Sequence, residues 1–158
     1  MKLAALFPLV PVALLAGCQH FSYQAPTGDD TATVIFTSDD LVAQPVVCVP
    51  GEGFQSTEYA LGVNTLDSKS IDEMLNSMKK ATKVSTQVSA GSTRIGVTMN
   101  QRENDGSRDR CKVALQFDAL KGARYQAHFT RSAGQCGLSL NDESGAPTNA
   151  VLVDWQCP

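Results

Sequence analysis

Between Arg110 and Asp118 the chain alternates with a period of two. Cys111, Val113, Leu115 and Phe117 take one side, and Lys112, Gln116 and Asp118 take the other, together with Ala114. After Leu120-Lys121-Gly122 the pattern returns, with Tyr125, Ala127 and Phe129 set against Arg124, Gln126 and His128. Successive side chains of a strand point to opposite faces, so such a run has one apolar and one polar face. A helix would scatter the same residues around its circumference. The two runs therefore read as half-buried strands. Shorter runs fit the same reading: Thr31 to Thr37, Pro45 to Pro50, Ser56 to Leu61, Thr82 to Val88, Thr93 to Met99, Cys136 to Leu140 and Val151 to Cys157. Asn104-Asp105-Gly106 reads as a hairpin turn between its flanking strands. Regular short strands separated by turns predict a mainly β chain, an antiparallel β-sandwich of about seven to eight strands.

One segment departs from this period. Ser70-Ile71-Asp72-Glu73 has the capping-box spacing, and Ile71, Met74, Leu75 and Met78 follow at helical intervals. Acids lie at the start and Lys79-Lys80 at the end, which suits the helix dipole. The pattern predicts one short helix over 71–80. Its apolar stripe is expected to cover an edge of the sandwich, with an exposed Met-rich binding face as the sharper reading.

The amino terminus has a different logic. Lys2 is followed by an apolar run from Leu3 to Ala16, interrupted by Pro8 and Pro11. The run is shorter than the roughly 20 residues needed to span a bilayer. A basic start, a short apolar stretch and small residues before a cut site are the layout of a secretory signal, here residues 1–17. Leu15-Ala16-Gly17-Cys18 resembles the lipobox of bacterial lipoproteins. The resemblance implies that Cys18 is diacylated on sulfur, becomes the first mature residue and anchors the chain to a membrane. Two or three acyl chains hold a protein firmly where one does not. Gln19, rather than Asp, follows the cysteine. In Gram-negative lipoproteins that implies sorting to the outer membrane, here with the domain expected on the periplasmic face. The alternating body resembles the small disulfide-bonded immunoglobulin-like or transthyretin-like sandwiches of envelope lipoproteins. Residues 18–30 hold Pro26, Gly28 and two terminal acids, and are read as a lipidated, flexible tether. Residues 31–158 are read as a single domain.

With Cys18 given to lipid, Cys48, Cys111, Cys136 and Cys157 form an even set. In an exported domain an even set reads as two disulfides. Four cysteines permit three pairings. A hairpin between the last two runs would set Cys136 opposite Cys157, Leu138 opposite Trp155 and Leu140 opposite Val153. That register favours Cys136–Cys157 and leaves Cys48–Cys111, with the rival pairings open because disulfides also join facing sheets. Trp155 is expected to pack on a disulfide in the core.

No catalytic, cofactor or metal constellation is legible. His20 lies in the tether, and His128 alternates outward with no partner visible in sequence. There is no Cys-x-x-Cys pair, so neither zinc nor thioredoxin-like chemistry is expected. The oxygen-rich stretch Gln101–Gly106 lacks the first Asp and the closing Glu of a calcium loop. The formal net charge is −3, and no basic run appears in the sequence. Nucleic acid and a polybasic contact with anionic lipid are both unexpected. These features point to a non-enzymatic binding or scaffolding protein of the envelope with a protein partner. The alternative is an inhibitor of lysozyme or another envelope-attacking hydrolase.

Overall fold

The alternating residues become the facing inner surfaces of two sheets. The computed structural model describes residues 22–39, 41–63, 69–102 and 106–158. The expected signal peptide, the lipobox-like stretch with Cys18, Gln19 and His20, and the expected turn at Asn104-Asp105 lie outside the described residues.

The strands are β1 (Thr31–Ser38), β2 (Gln44–Val49), β3 (Gly53–Ser56), β4 (Ala60–Leu61), β5 (Lys80–Ala81), β6 (Val84–Ser89), β7 (Gly91–Arg102), β8 (Arg108–Ala119), β9 (Arg124–Ser132), β10 (Gln135–Asp142) and β11 (Val151–Val153). One sheet runs β10-β9-β1-β6 and the other β11-β8-β7-β2-β3, while β4 and β5 form a small third pair. The fold is a mostly antiparallel β-sandwich, as the alternation predicts, with more strands than expected. β1 and β9 pair in parallel, Phe36 beside Ala127. The expected strand Ser56 to Leu61 is split between β3 and β4.

Val34, Phe36, Val88, Ile95, Val97, Phe129 and their neighbours fill the space between the sheets. Cys111, Val113, Leu115 and Phe117 on β8, and Tyr125, Ala127 and Phe129 on β9, all belong to this interior or pack against it. Apolar burial of this kind stabilises by roughly 25 cal/mol per Å² removed from water.

The helix α1 spans Lys69–Ser77, starting earlier and stopping sooner than the spacing predicts. Ser70 therefore sits inside its first turn. Lys79 has φ of 53°, a left-handed conformation that ends the helix, and Lys80 enters β5 beside Ala60. Of the predicted stripe only Leu75 is buried, and Met74 and Met78 face solvent.

The disulfides are Cys48–Cys157 and Cys111–Cys136, not the pairs that the hairpin register favours. Their Cα separations are 5.4 and 6.2 Å. The correction has a topological cause. β10 does not fold back on β11: Leu138 lies opposite Phe129 and Leu140 opposite Ala127, both on β9. After Asp142 the chain crosses to the other sheet, where Leu152 lies opposite Leu115 on β8. Cys111 and Cys136 thus link the two sheets. Cys157 is carried past the end of β11 to β2.

That last crossing forms a strap on the outer face of the larger sheet. Trp155 lies over Gly96, where an added Cβ would fall 2.9 Å from its ring, and its centroid is 4.4 Å from that of Phe54. Arg94 donates to the Gln156 carbonyl at 2.8 Å. Trp155 is therefore a half-buried outer cover rather than part of the main core. Its partners Val46, Gly96 and Ala114 form the rung beneath it, and all three are buried.

Part of the stretch expected as a tether lies on the domain. Ser22 bridges to Ser56, Tyr23 donates its backbone N–H to the Ser56 carbonyl at 2.7 Å, and the Tyr23 ring packs against the core. Burial pushes the Tyr23 phenol above its ordinary pKa. Contact with the domain is therefore already present at Ser22 and Tyr23, within the stretch expected to be a tether.

Candidate functional site

The crossing from β10 to β11 shapes a groove at one side of the sandwich. Its volume is about 660 Å³, within the usual range for small-ligand and peptide-side-chain sites. Phe117, Leu120, Tyr125 and Val151 supply apolar lining, while Arg124, Asp142, Glu143 and Asn149 supply polar lining. Strand alternation explains the floor. Phe117 and Tyr125 face inward from β8 and β9 and meet edge-on with centroids 5.0 Å apart. The Tyr125 hydroxyl accepts the Leu120 backbone N–H at 3.0 Å, which fixes the turn between those strands.

Leu120 is 67% exposed and Val151 is 57% exposed, with Leu152 on the same short edge strand at 69%. Two large exposed apolar side chains, Leu120 and Val151, on the lining of one groove make it the candidate binding site. At its mouth Arg124 and Glu143 form an exposed ion pair at 3.8 Å. Such a pair contributes little to stability and leaves both charges able to meet a ligand.

Asp142 holds the groove's far wall. Its Oδ1 accepts from the Ser144 hydroxyl at 2.6 Å, the Ser144 N–H at 2.9 Å and the Ala146 N–H at 3.0 Å. The Ser144 hydroxyl bond is the main cause that lowers the Asp142 pKa, with the Ala146 N–H next. A depressed carboxyl pKa stabilises the fold above the unfolded-state pKa, and that contribution is lost as pH falls through the folded-state value. A carboxyl-carbon NMR titration should place the Asp142 midpoint below the ordinary aspartate range, and Ser144→Ala should move it upward. An unshifted midpoint in the parent protein would show that the turn does not hold the carboxylate.

His128 has partners that sequence order conceals. Thr37 lies beside it on β1 in parallel register, with Oγ1 at 2.8 Å from Nδ1, and Asp39 Oδ1 lies 2.9 Å from Nε2. A carboxylate only accepts, so Nε2 donates to Asp39, while the Thr37 hydroxyl, which can both donate and accept, bonds Nδ1. The order hydroxyl, imidazole, carboxylate is that of a catalytic triad. Here it stands on the outer face of a sheet, where the strand N–H groups are committed to the ladders. Those groups therefore form no oxyanion hole. Arg124 and His128 are not brought together, since Arg124 lines the groove and His128 does not.

A second cleft, about 1320 Å³, opens at the opposite edge between Tyr23, Tyr59, Lys79 and Gln87. It is more polar, and the incoming Ser22–Ala25 segment forms part of its wall. No cluster of three or more His, Cys, Asp or Glu side chains suited to a metal occurs among the described residues.

The four predicted disulfide cysteines all pair, in a different combination. The groove was not legible in the chain. Its one sequence signal is the Asp142-x-Ser144 turn beside the unmatched apolar residues Val151 and Leu152. No family model matches the chain, and no curated protein matches it.

Proposed function

We propose that the chain is the precursor of a lipid-anchored envelope protein whose β-sandwich binds another envelope protein and performs no catalysis itself. The observation that carries this reading is the cysteine pairing. Cys48 with Cys157, and Cys111 with Cys136, consume four of the five cysteines, and the fifth stands in Leu15-Ala16-Gly17-Cys18. Two disulfides suit an oxidising compartment, and a lipid on Cys18 accounts for the remaining thiol. Gln19 favours the outer membrane, with the domain on its periplasmic face. The groove beside β11 offers the partner an apolar floor and a charged rim.

Metabolic labelling with radioactive palmitate tests the anchor. The parent chain should incorporate label and fractionate with membranes. Cys18→Ala should lose the label and keep both disulfides. A variant still labelled and processed would defeat the lipid assignment. Crosslinking in intact envelopes tests the groove, since Val151→Asp, at a lining residue, should remove the partner that the parent protein captures. Equal recovery by the two would move the binding surface elsewhere.

A further inference from the structure

The sequence contains no polybasic run, yet strand pairing builds one. On β7 and β8 the residues sharing the outer face are paired Arg102 with Arg108, Asn100 with Arg110, and Thr98 with Lys112. Arg102, Arg108, Arg110 and Lys112 are all exposed. No ion pair among the described residues involves any of them. The acid nearest in the strands, Asp109, points to the opposite face and pairs there with Arg131. Glu103 and Asp105 belong to the intervening turn, outside the described residues.

This part of the hairpin extends beyond its neighbours. β2 reaches along β7 only as far as Thr98, and β11 covers β8 only from Ala114 to Gln116. Among the described residues, no third strand pairs with β7 beyond Thr98 or with β8 before Ala114. Cys111–Cys136 and Asp109–Arg131 brace the inner face, while on the outer face Asn100, Arg102, Arg108 and Arg110 are exposed among the described residues. Like charges set directly opposite in a ladder, as Arg102 and Arg108 are, destabilise it when nothing neutralises them.

We propose that the outer face of this hairpin docks on an anionic phospholipid surface through Arg102, Arg108, Arg110 and Lys112. A single phosphate needs donors that converge. These four are spread over the ladder, spaced about 5 Å across the strands and about 7 Å along them; Lys112 also reaches over the Trp155 ring, its Nζ 5.6 Å from the centroid, and none lines either groove. Such an array matches an extended field of charge. Each cation close to an anionic bilayer raises partitioning about fivefold. Proximity favours lipid over an anionic polymer. Ser22, four positions after Cys18, is bridged to the domain at Ser56, so an anchor at Cys18 would hold the domain close to headgroups. This proximity rests on the lipid-anchor reading. The charge array does not.

The test uses the full chain in nanodiscs of phosphatidylcholine, with and without phosphatidylglycerol, read by amide hydrogen exchange. Either the apolar leader or the lipid holds the chain in the disc, and mass spectrometry reports which. Failure of the anchor is thus separated from failure of the docking. Exchange over residues 98–112 should slow several-fold in anionic discs only, and about 1 M salt should reverse it because screening then acts within about 3 Å. Arg102→Glu with Arg108→Glu and Arg110→Glu should remove the protection, whereas lysine at the same three positions should retain it. If the glutamate variant misfolds, the salt reversal in the parent protein still decides. Equal exchange in both discs would overturn the proposal. So would protection produced only by an added soluble anionic polysaccharide.

Discussion

Replacing Cys48 and Cys157 together by serine should lower the unfolding free energy by about 4 kcal/mol, the larger of the two disulfide effects. The crosslink spans 109 residues, whereas Cys111–Cys136 spans 25. In the chain-entropy account a longer closed loop removes more freedom from the unfolded state, so the second double variant should lose about 3 kcal/mol. The first variant also releases the strap. Cys157 no longer holds the end of the chain on β2, and the Trp155 ring can leave Gly96 and Phe54. Gly96, Val46 and Ala114 then gain solvent. Denaturant unfolding followed by circular dichroism gives the two losses, and the fluorescence of Trp155, the single tryptophan of the chain, reports the strap separately. A Cys111/Cys136 variant that loses more than the Cys48/Cys157 variant would show that the bridge between the sheets, not the long loop, dominates.

The residues that made the fold legible are those whose partners do not matter to the pattern. Alternation on β8 and β9 predicts a buried face whichever strands lie beside them, and both buried faces are present. Pairing is another matter. The runs before and after residues 143–150 both alternate, and the matched faces of Leu138 with Trp155 make a plausible hairpin. Nothing in that pattern says that the chain changes sheets between them. The disulfides followed that choice, and so did the position of Trp155. The groove arises from the same crossing, and its floor residues look like any inward strand residues until the edge is left open. The basic face has the same origin. Arg102, Arg108, Arg110 and Lys112 are interleaved with acids in the sequence, and only the antiparallel register sorts them onto one side. His128 likewise gains Thr37 and Asp39 from a parallel pairing that connects residues far apart in the chain.

Phe129→Ala should cost about 4 kcal/mol, comparable to losing the longer disulfide. Phe129 is 0% exposed and lies in β9 with Leu138 across the ladder on one side and Ser38 on the other. β9 is an inner strand of its sheet, so both neighbouring strands resist collapse into the space left by the ring. The cost then includes a cavity as well as the lost transfer energy. Phe54 provides the contrast. It sits on the edge strand β3, half-buried, with Trp155 as its ring partner. Phe54→Ala should cost about half as much, because the strap can settle and solvent can enter. It should nevertheless change Trp155 emission far more than Phe129→Ala does. Equilibrium unfolding of the two variants, each followed by backbone circular dichroism and by tryptophan fluorescence, separates the inner core from the outer cover. Equal stability losses would mean that the strap is as tightly packed as the interior, and that the outer face of the larger sheet is a second core rather than a lid.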